Sequence, residues 1–269
     1  MSAVRPLAAA AIGVVLVAVL LAFGPPIVSG WLNGAPGARG ESLFTLAIFG
    51  PMLALGMLGG RLGRVAGPAF GDRPYRATVL GMMLGAGGLT LAVGYTLLAG
   101  NVVAGTGGTV SPALLLGILT VTLQVGAEEM LFRGWLQPQI APVVGAPAAV
   151  LLVASIFAAL HLLGGATGVL TLTNLMLGGI LFGLIAARDG DIAGAIAAHW
   201  AWNVGEQLVL GLDPNPGVGV YGAVVDLDLV GAARWGGSDQ GLNASLAMTI
   251  ALAAIVIPLA LRFRSAKPG

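Results

Sequence analysis

Residues 126–136 read GAEEMLFRGWL and set Glu128, Glu129 and Arg133 at the end of a long apolar run. Whether the helix stops at this stretch or passes through it decides how the rest of the chain assembles. The surrounding composition is that of a membrane protein. Of 269 residues, 57% are hydrophobic and 9% charged, and the mean hydropathy of +0.97 lies far outside the range of soluble globular domains. Cysteine is absent, which removes disulfides, thiolate nucleophiles and Cys-ligated metals. A net charge of +1 gives no basis for nucleic acid as a partner.

Apolar runs broken by Gly, Pro and charge predict eight spans, near 7–28, 42–60, 77–99, 111–137, 147–163, 168–187, 191–210 and 243–261, each long enough or nearly so to cross a bilayer. Only GGATG, 164–168, separates the fifth from the sixth. The first span follows Arg5 as a signal peptide would. Its length and the Pro25-Pro26 that follows predict a retained helix.

Charge tests the span count, because Lys and Arg accumulate on the cytoplasmic side. With the N-terminus inside, the inner segments hold Arg5, Arg61, Arg64, Arg73, Arg76, Arg133, Arg188, Arg262, Arg264 and Lys267. The outer ones hold only Arg39 and Arg234, and the outer segment 211–242 carries Asp213, Asp226, Asp228 and Asp239. The expectation is an all-α polytopic membrane protein of about eight transmembrane helices with cytoplasmic N- and C-termini, a single transmembrane domain over 1–269. The basic stretch 61–76 reads as a topology determinant before it reads as a lipid-contacting loop. Abundant Gly and Ala suit close helix packing in lipid.

An ionisable residue inside a span is costly and marks a functional site by default. The fourth span holds Glu128 and Glu129, the fifth His161, and the seventh His199, Asn203 and Glu206; both histidines of the chain fall in this set. His199 and Asn203 stand i and i+4 on one helix face. Glu129 and Arg133 are also i and i+4, with the acid first, and can neutralise each other. Glu128 is rotated by about 100° and lacks that partner, which makes it the better candidate for chemistry. Glu206 reads as a water-facing or pairing residue near the outer end of its helix. Trp135, Trp200 and Trp202 read as packing or interface anchors.

Depth then constrains the fold. A fourth helix ending at Glu129 would leave the glutamates at the inner surface with His161 far above them. A helix continuing to about Gln137 lifts Glu128 about 13 Å above its inner end at 1.5 Å per residue. His161 then lies about 21 Å above Pro147, and His199 and Asn203 about 12 and 18 Å above Asp191. All four share a slab in the cytoplasmic half, provided LFRGWLQ is helical.

A carboxylate, two imidazoles and a carboxamide suit hydrolysis of a peptide bond without a covalent intermediate. A carboxylate held away from bulk water is an effective general base for a water nucleophile, and N–H donors stabilise the oxyanion. The same Glu and two His could instead ligate zinc, with water in the fourth position. No HExxH, GxSxG or Walker pattern is present.

The segments EEMLFR (128–133), FAALH (157–161) and HWAWN (199–203) resemble the EExxxR, FxxxH and HxxxN/B motifs of the CAAX protease and bacteriocin-processing family, also called the Abi or type II CAAX prenyl endopeptidase family. The resemblance covers about 109–210, the catalytic core it implies. It further implies an eight-helix intramembrane endopeptidase whose cavity opens to the cytosol and cleaves near the cytoplasmic face. Glu128 would activate water with His161 assisting, His199 and Asn203 would form the oxyanion hole, Glu129 and Arg133 would support, and Phe157 would pack beside the site. No cofactor is favoured, because an Asn aligned with His199 suits an oxyanion hole; zinc on Glu128, His161 and His199 is the alternative. The implied partners are the bilayer and a membrane peptide or protein, such as a prenylated tail or leader peptide, in a bacterial or archaeal cell membrane. Two other classes fit the same residues: a proton-coupled transporter, and a catalytically silent family member acting as an immunity or binding scaffold.

Overall fold

A computed structural model describes residues 4–63, 71–107 and 110–265. Arg64 and Lys267 of the basic clusters lie outside the described residues. In lipid each backbone N–H and C=O must find an internal partner, so the apolar runs become helices. These are α1 (Val4–Leu32), α2 (Gly37–Leu62), α3 (Pro74–Leu98), α4 (Ala113–Val144), α5 (Ala146–His161), α6 (Val169–Asp189), α7 (Ala193–Val204) and α8 (Leu246–Ser265). Seven of them are long and apolar enough to cross a membrane, and the chain is an all-α polytopic membrane protein. The exception is α7, which continues through Gly205–Val209 as a π-helical turn. Its Ala195 and Ala198 are fully buried, so it is an interior helix sheltered by its neighbours.

Two helices outrun their expected ends. Pro25 and Pro26 lie inside α1, and α4 passes through GAEEMLFRGWL and Pro138 to Val144. Within α4, Phe132–Leu136 form a π-helical turn. The chain reverses from α4 into α5 on Gly145 alone, at φ 85°, a backbone conformation that a side chain strains.

Helices α3 and α7 run parallel with their backbones in contact. A Cβ added at Gly81 would meet the Gly194 carbonyl oxygen at 2.2 Å, one at Gly85 would meet that of Ala198 at 2.0 Å, and Gly88 faces Trp202. The pair α2 and α4 is built alike, with Gly56 against the Leu131 backbone and Gly59 against the Trp135 indole, which also touches Gly13 of α1. Small residues are what allow this approach in lipid. One buried cluster joins α3, α6, α7 and α8, and another joins α1, α2, α4 and α5. The polar residues of α4, α5 and α7 stand where the two clusters meet.

The outer segment 211–242, expected as a loop, lies within a strap over 210–245 that is tied to the α3–α4 connection by a small sheet. The strands are β1 (Val102–Ala104), β2 (Leu212–Asp213) and β3 (Leu227–Leu229), in the order β1-β3-β2. β1 pairs antiparallel and β2 parallel to β3, with Asp213 opposite Asp228. This register brings carboxylate oxygens of Asp213, Asp226 and Asp228 within 4.8 Å of one another. Partial burial, then repulsion from Asp228 and Asp226, pushes the Asp213 carboxyl above its usual range.

Two outcomes follow from this packing. Gly85→Leu should push α3 off α7 and destabilise the protein by about 1–3 kcal/mol, the usual cost of overpacking, read as a lower Tm in detergent; an unchanged Tm would refute the backbone contact. The raised Asp213 carboxyl favours the folded state only while protonated, so its contribution fades as pH rises above the ordinary aspartate range. Asp213→Asn should therefore raise Tm more at pH 7 than at pH 4, and an equal shift at both would exclude the repulsion.

Candidate active site

The buried centre of the site is an ion pair. Glu129 is fully buried, and one of its oxygens accepts from Arg133 Nη1 at 2.8 Å and from His199 Nδ1 at 2.8 Å. Arg133 Nη2 donates to the Gly179 carbonyl of α6 at 2.8 Å. The guanidinium also lies 5.0–5.7 Å from the ring centroids of Phe132, Phe157 and Phe182, within cation–π range. Arg133 is thus held by Glu129 and α6 inside the bundle, with its Nε lacking a hydrogen-bond partner among the described residues. Although its position suggested an inner-face charge that sets topology, the continuation of α4 past Gln137 buries it mid-helix.

His199 is fixed by two contacts. A carboxylate facing Arg133 can only accept, so Nδ1 carries the proton it donates to Glu129, and Nε2 is turned towards Glu128. Phe182 stacks on the ring at 4.5 Å and 14°. Glu128 is 6% exposed; its Oε2 lies 3.8 Å from His199 Nε2, and Gln124 Nε2 approaches its other oxygen at 3.4 Å. His161 Nδ1 lies 2.7 Å from the Phe157 carbonyl. That oxygen too can only accept, so in the neutral ring Nε2 is the free acceptor. Phe157 packs on the His161 ring at 4.5 Å.

Glu128, His161, His199 and Asn203 all line one cavity of about 180 Å³. Phe157 lines it as well, while Glu129 and Arg133 stand behind the wall and reach it through His199. The structure therefore brings together the residues singled out in the sequence. A tetrahedral zinc ion would need N and O donors within about 3.5 Å of one another. Glu128, His161 and His199 do not converge that far: among the described residues the only acidic or imidazole trio with donors within 4.8 Å is Asp213, Asp226 and Asp228. The site as built does not fit the ion.

One expectation needs correction. Glu206 does not face water; it is 5% exposed on the cavity wall, where its i+7 spacing from His199 keeps it on the face of His199 and Asn203. At 1.5 Å per residue His199 stands about 12 Å above Asp191, which accepts from the Gly71 N–H at the basic end at 2.9 Å, and the cavity extends the other way, to Asn215, Pro216 and Asn243 of the strap.

Other contributors had no motif to announce them. Phe182 and the Gly179 carbonyl come from α6, a helix with no polar residue among the candidates. Two of the three motif-bearing helices carry a π turn at the end of the motif or just after it, at Phe132–Leu136, which includes Arg133, and at Gly205–Val209, a feature frequent at functional sites. Trp202, read as an anchor, is buried and lines the cavity.

No curated protein and no solved structure matches the chain. Residues 110–205 match the family model described as type II CAAX prenyl endopeptidase Rce1-like. That segment carries Glu128, His161, His199 and Asn203, and the family it is similar to is the one that its three motifs resemble.

Proposed function

We propose that this membrane protein is an intramembrane endopeptidase in which Glu128 is the general base for a hydrolytic water. The observation that carries the reading is the convergence of Glu128, His161, His199 and Asn203 from three helices on one cavity, with His199 held by a buried ion pair. Glu128 has little other work: Gln124 is its one hydrogen-bonding side chain among the described residues. A water between Glu128 and His161 Nε2 would meet two acceptors and be aimed by both. Glu128 takes its proton as the oxygen attacks the carbonyl carbon, and returns a proton to the leaving amine as the tetrahedral intermediate collapses.

The developing oxyanion falls to the other wall. Asn203 lines the cavity, and no side-chain hydrogen bond ties its carboxamide to another described residue, which leaves its N–H₂ to donate. His199 can donate from Nε2 only as the imidazolium, because Nδ1 already donates to Glu129. The Glu129 carboxylate then has a role beyond holding Arg133: it supports that cation while α6 supplies Phe182 to the ring face. The catalytic core is 109–210. The first three helices and α8 are scaffold, and the substrate is a membrane-associated peptide or protein. No step is assigned to a metal.

Purified protein in liposomes, assayed against a library of membrane peptides, checks these roles. Glu128→Gln should lower kcat by about 10²–10⁴-fold with Tm unchanged, and wild-type turnover by that variant would end the base assignment. Asn203→Ala should cost about 10²–10³-fold in kcat with little change in KM. Glu129→Ala should behave differently, because it strands Arg133 in the interior and costs about 3–5 kcal/mol of stability; a normal Tm would show that the ion pair does not matter. Activity should survive chelation, and its loss would favour the zinc alternative.

A further inference from the structure

We propose that the cavity is entered from the outer face of the membrane, so that the substrate is a polar, extended segment emerging on that side of a membrane-anchored protein. The inference rests on the peptidase reading and reverses the cytosolic opening that the family resemblance implies.

Three observations carry it. The two ends of the bundle differ in charge: Arg5, Arg61, Arg73, Arg76, Arg188 and Arg262 gather at one end, while the end bearing the strap holds Asp213, Asp226, Asp228 and Asp239 against Arg39 and Arg234. Positive charge near span ends marks the cytoplasmic side. The strap is therefore outside.

Next, the cavity is closed towards the basic end. Arg133 and Gln137 of α4 donate to the Gly179 and Gly183 carbonyls of α6 at 2.8 and 3.0 Å. These bonds join the two helices below the site, and Leu136, Leu181 and Ile185 beside them are at most 1% exposed. A peptide arriving from the cytoplasm would have to part a buried ion pair and this apolar seal.

Towards the strap the wall changes character. Gln124 stands one turn outward of Glu128 on α4, Glu206 and Gln207 stand one turn outward of Asn203, and Asn215 and Asn243 complete the wall. Carboxamides both donate and accept, as an extended backbone does, so this wall suits a peptide rather than an acyl or prenyl chain. Glu206 adds a buried oxygen, Oε1, with no hydrogen-bond partner among the described residues. An unsatisfied buried acceptor is costly, and a backbone N–H of the substrate would satisfy it.

The absence of cysteine makes the test direct. Val220→Cys on the strap, Gln207→Cys in the cavity and Tyr75→Cys at the basic end would be exposed, in intact cells and after permeabilisation, to a membrane-impermeant maleimide. Val220 and Tyr75 are 51% and 82% exposed and report orientation. We expect Val220→Cys and Gln207→Cys to label in intact cells and Tyr75→Cys only after permeabilisation. Labelling of Tyr75→Cys in intact cells, or of Gln207→Cys only after permeabilisation or not at all, would overturn the inference. A pair of reporters with one membrane anchor and the same polar peptide segment on the outer or the inner side then reads cleavage. The outer reporter alone should be cut, and cutting of the inner one would again overturn the inference. If the labelling is as expected and neither reporter nor library peptide is cut, the peptidase reading fails while the outer entry stands.

Discussion

The Glu129–Arg133 pair is the constraint on which the rest of the site depends. An ion pair in the interior gives back little net stability, since the cost of removing two charges from water offsets their attraction. Its value here is positional. One carboxylate oxygen receives both Arg133 and His199, and the far side of the guanidinium reaches the Gly179 carbonyl. Three helices, α4, α6 and α7, are thereby held at a common depth by two interhelical contacts made from one ion pair. With Glu129 committed in this way, its neighbour Glu128 stays free to face the cavity. Adjacent carboxylates 100° apart on a helix can do different things only because one of them is already neutralised.

That arrangement requires the helices to come closer than ordinary side chains allow. Gly81 and Gly85 let α3 lie against the backbone of α7, which sets the depth of His199 and Asn203. Gly56 and Gly59 do the same for α2 against α4 beside Leu131 and Trp135. Lipid offers no hydrophobic drive to push helices together, so contact area between small residues supplies it. The glycines that gave the sequence its bland appearance are the means by which the polar residues are aligned.

Much of this was legible before any coordinates. Polar residues in an apolar span stand out because their burial is costly, and that principle alone selected Glu128, Glu129, His161, His199 and Asn203. The depth argument required LFRGWLQ to be helical, and it is. What escaped was whatever depends on helix irregularity or on long-range pairing. Glu206 continues the helix face of His199 and Asn203, but its place near the outer end of the helix suggested water, and only the packing around it leaves it 5% exposed. The π turn in α4 and the helix's run past Pro138 have no periodic signature, so the end of the helix was drawn seven residues early. The sheet between Val102–Ala104 and the strap joins segments more than a hundred residues apart through strands of two or three residues, too short to carry an alternating pattern. Phe182 is one apolar residue among many in α6, and only the stacked His199 ring distinguishes it.

The geometry also weighs on what kind of machine these residues make. A proton-coupled transporter needs a path that opens alternately to both faces, and hence an element with two arrangements. Here the half of the bundle below Glu128 would have to separate Arg133 from Gly179 and Gln137 from Gly183, and then slide helices whose backbones touch at Gly81 and Gly85. Each such motion exposes a charge or a carbonyl with no replacement partner. A one-ended cavity suits hydrolysis, because the reactants enter and the products leave by the same mouth. A silent scaffold is compatible with the same closed floor, but it gives no reason to hold His199 between two carboxylates or to keep the Asn203 carboxamide unbound beside it. Those two features are costly in a membrane and useful in a transition state.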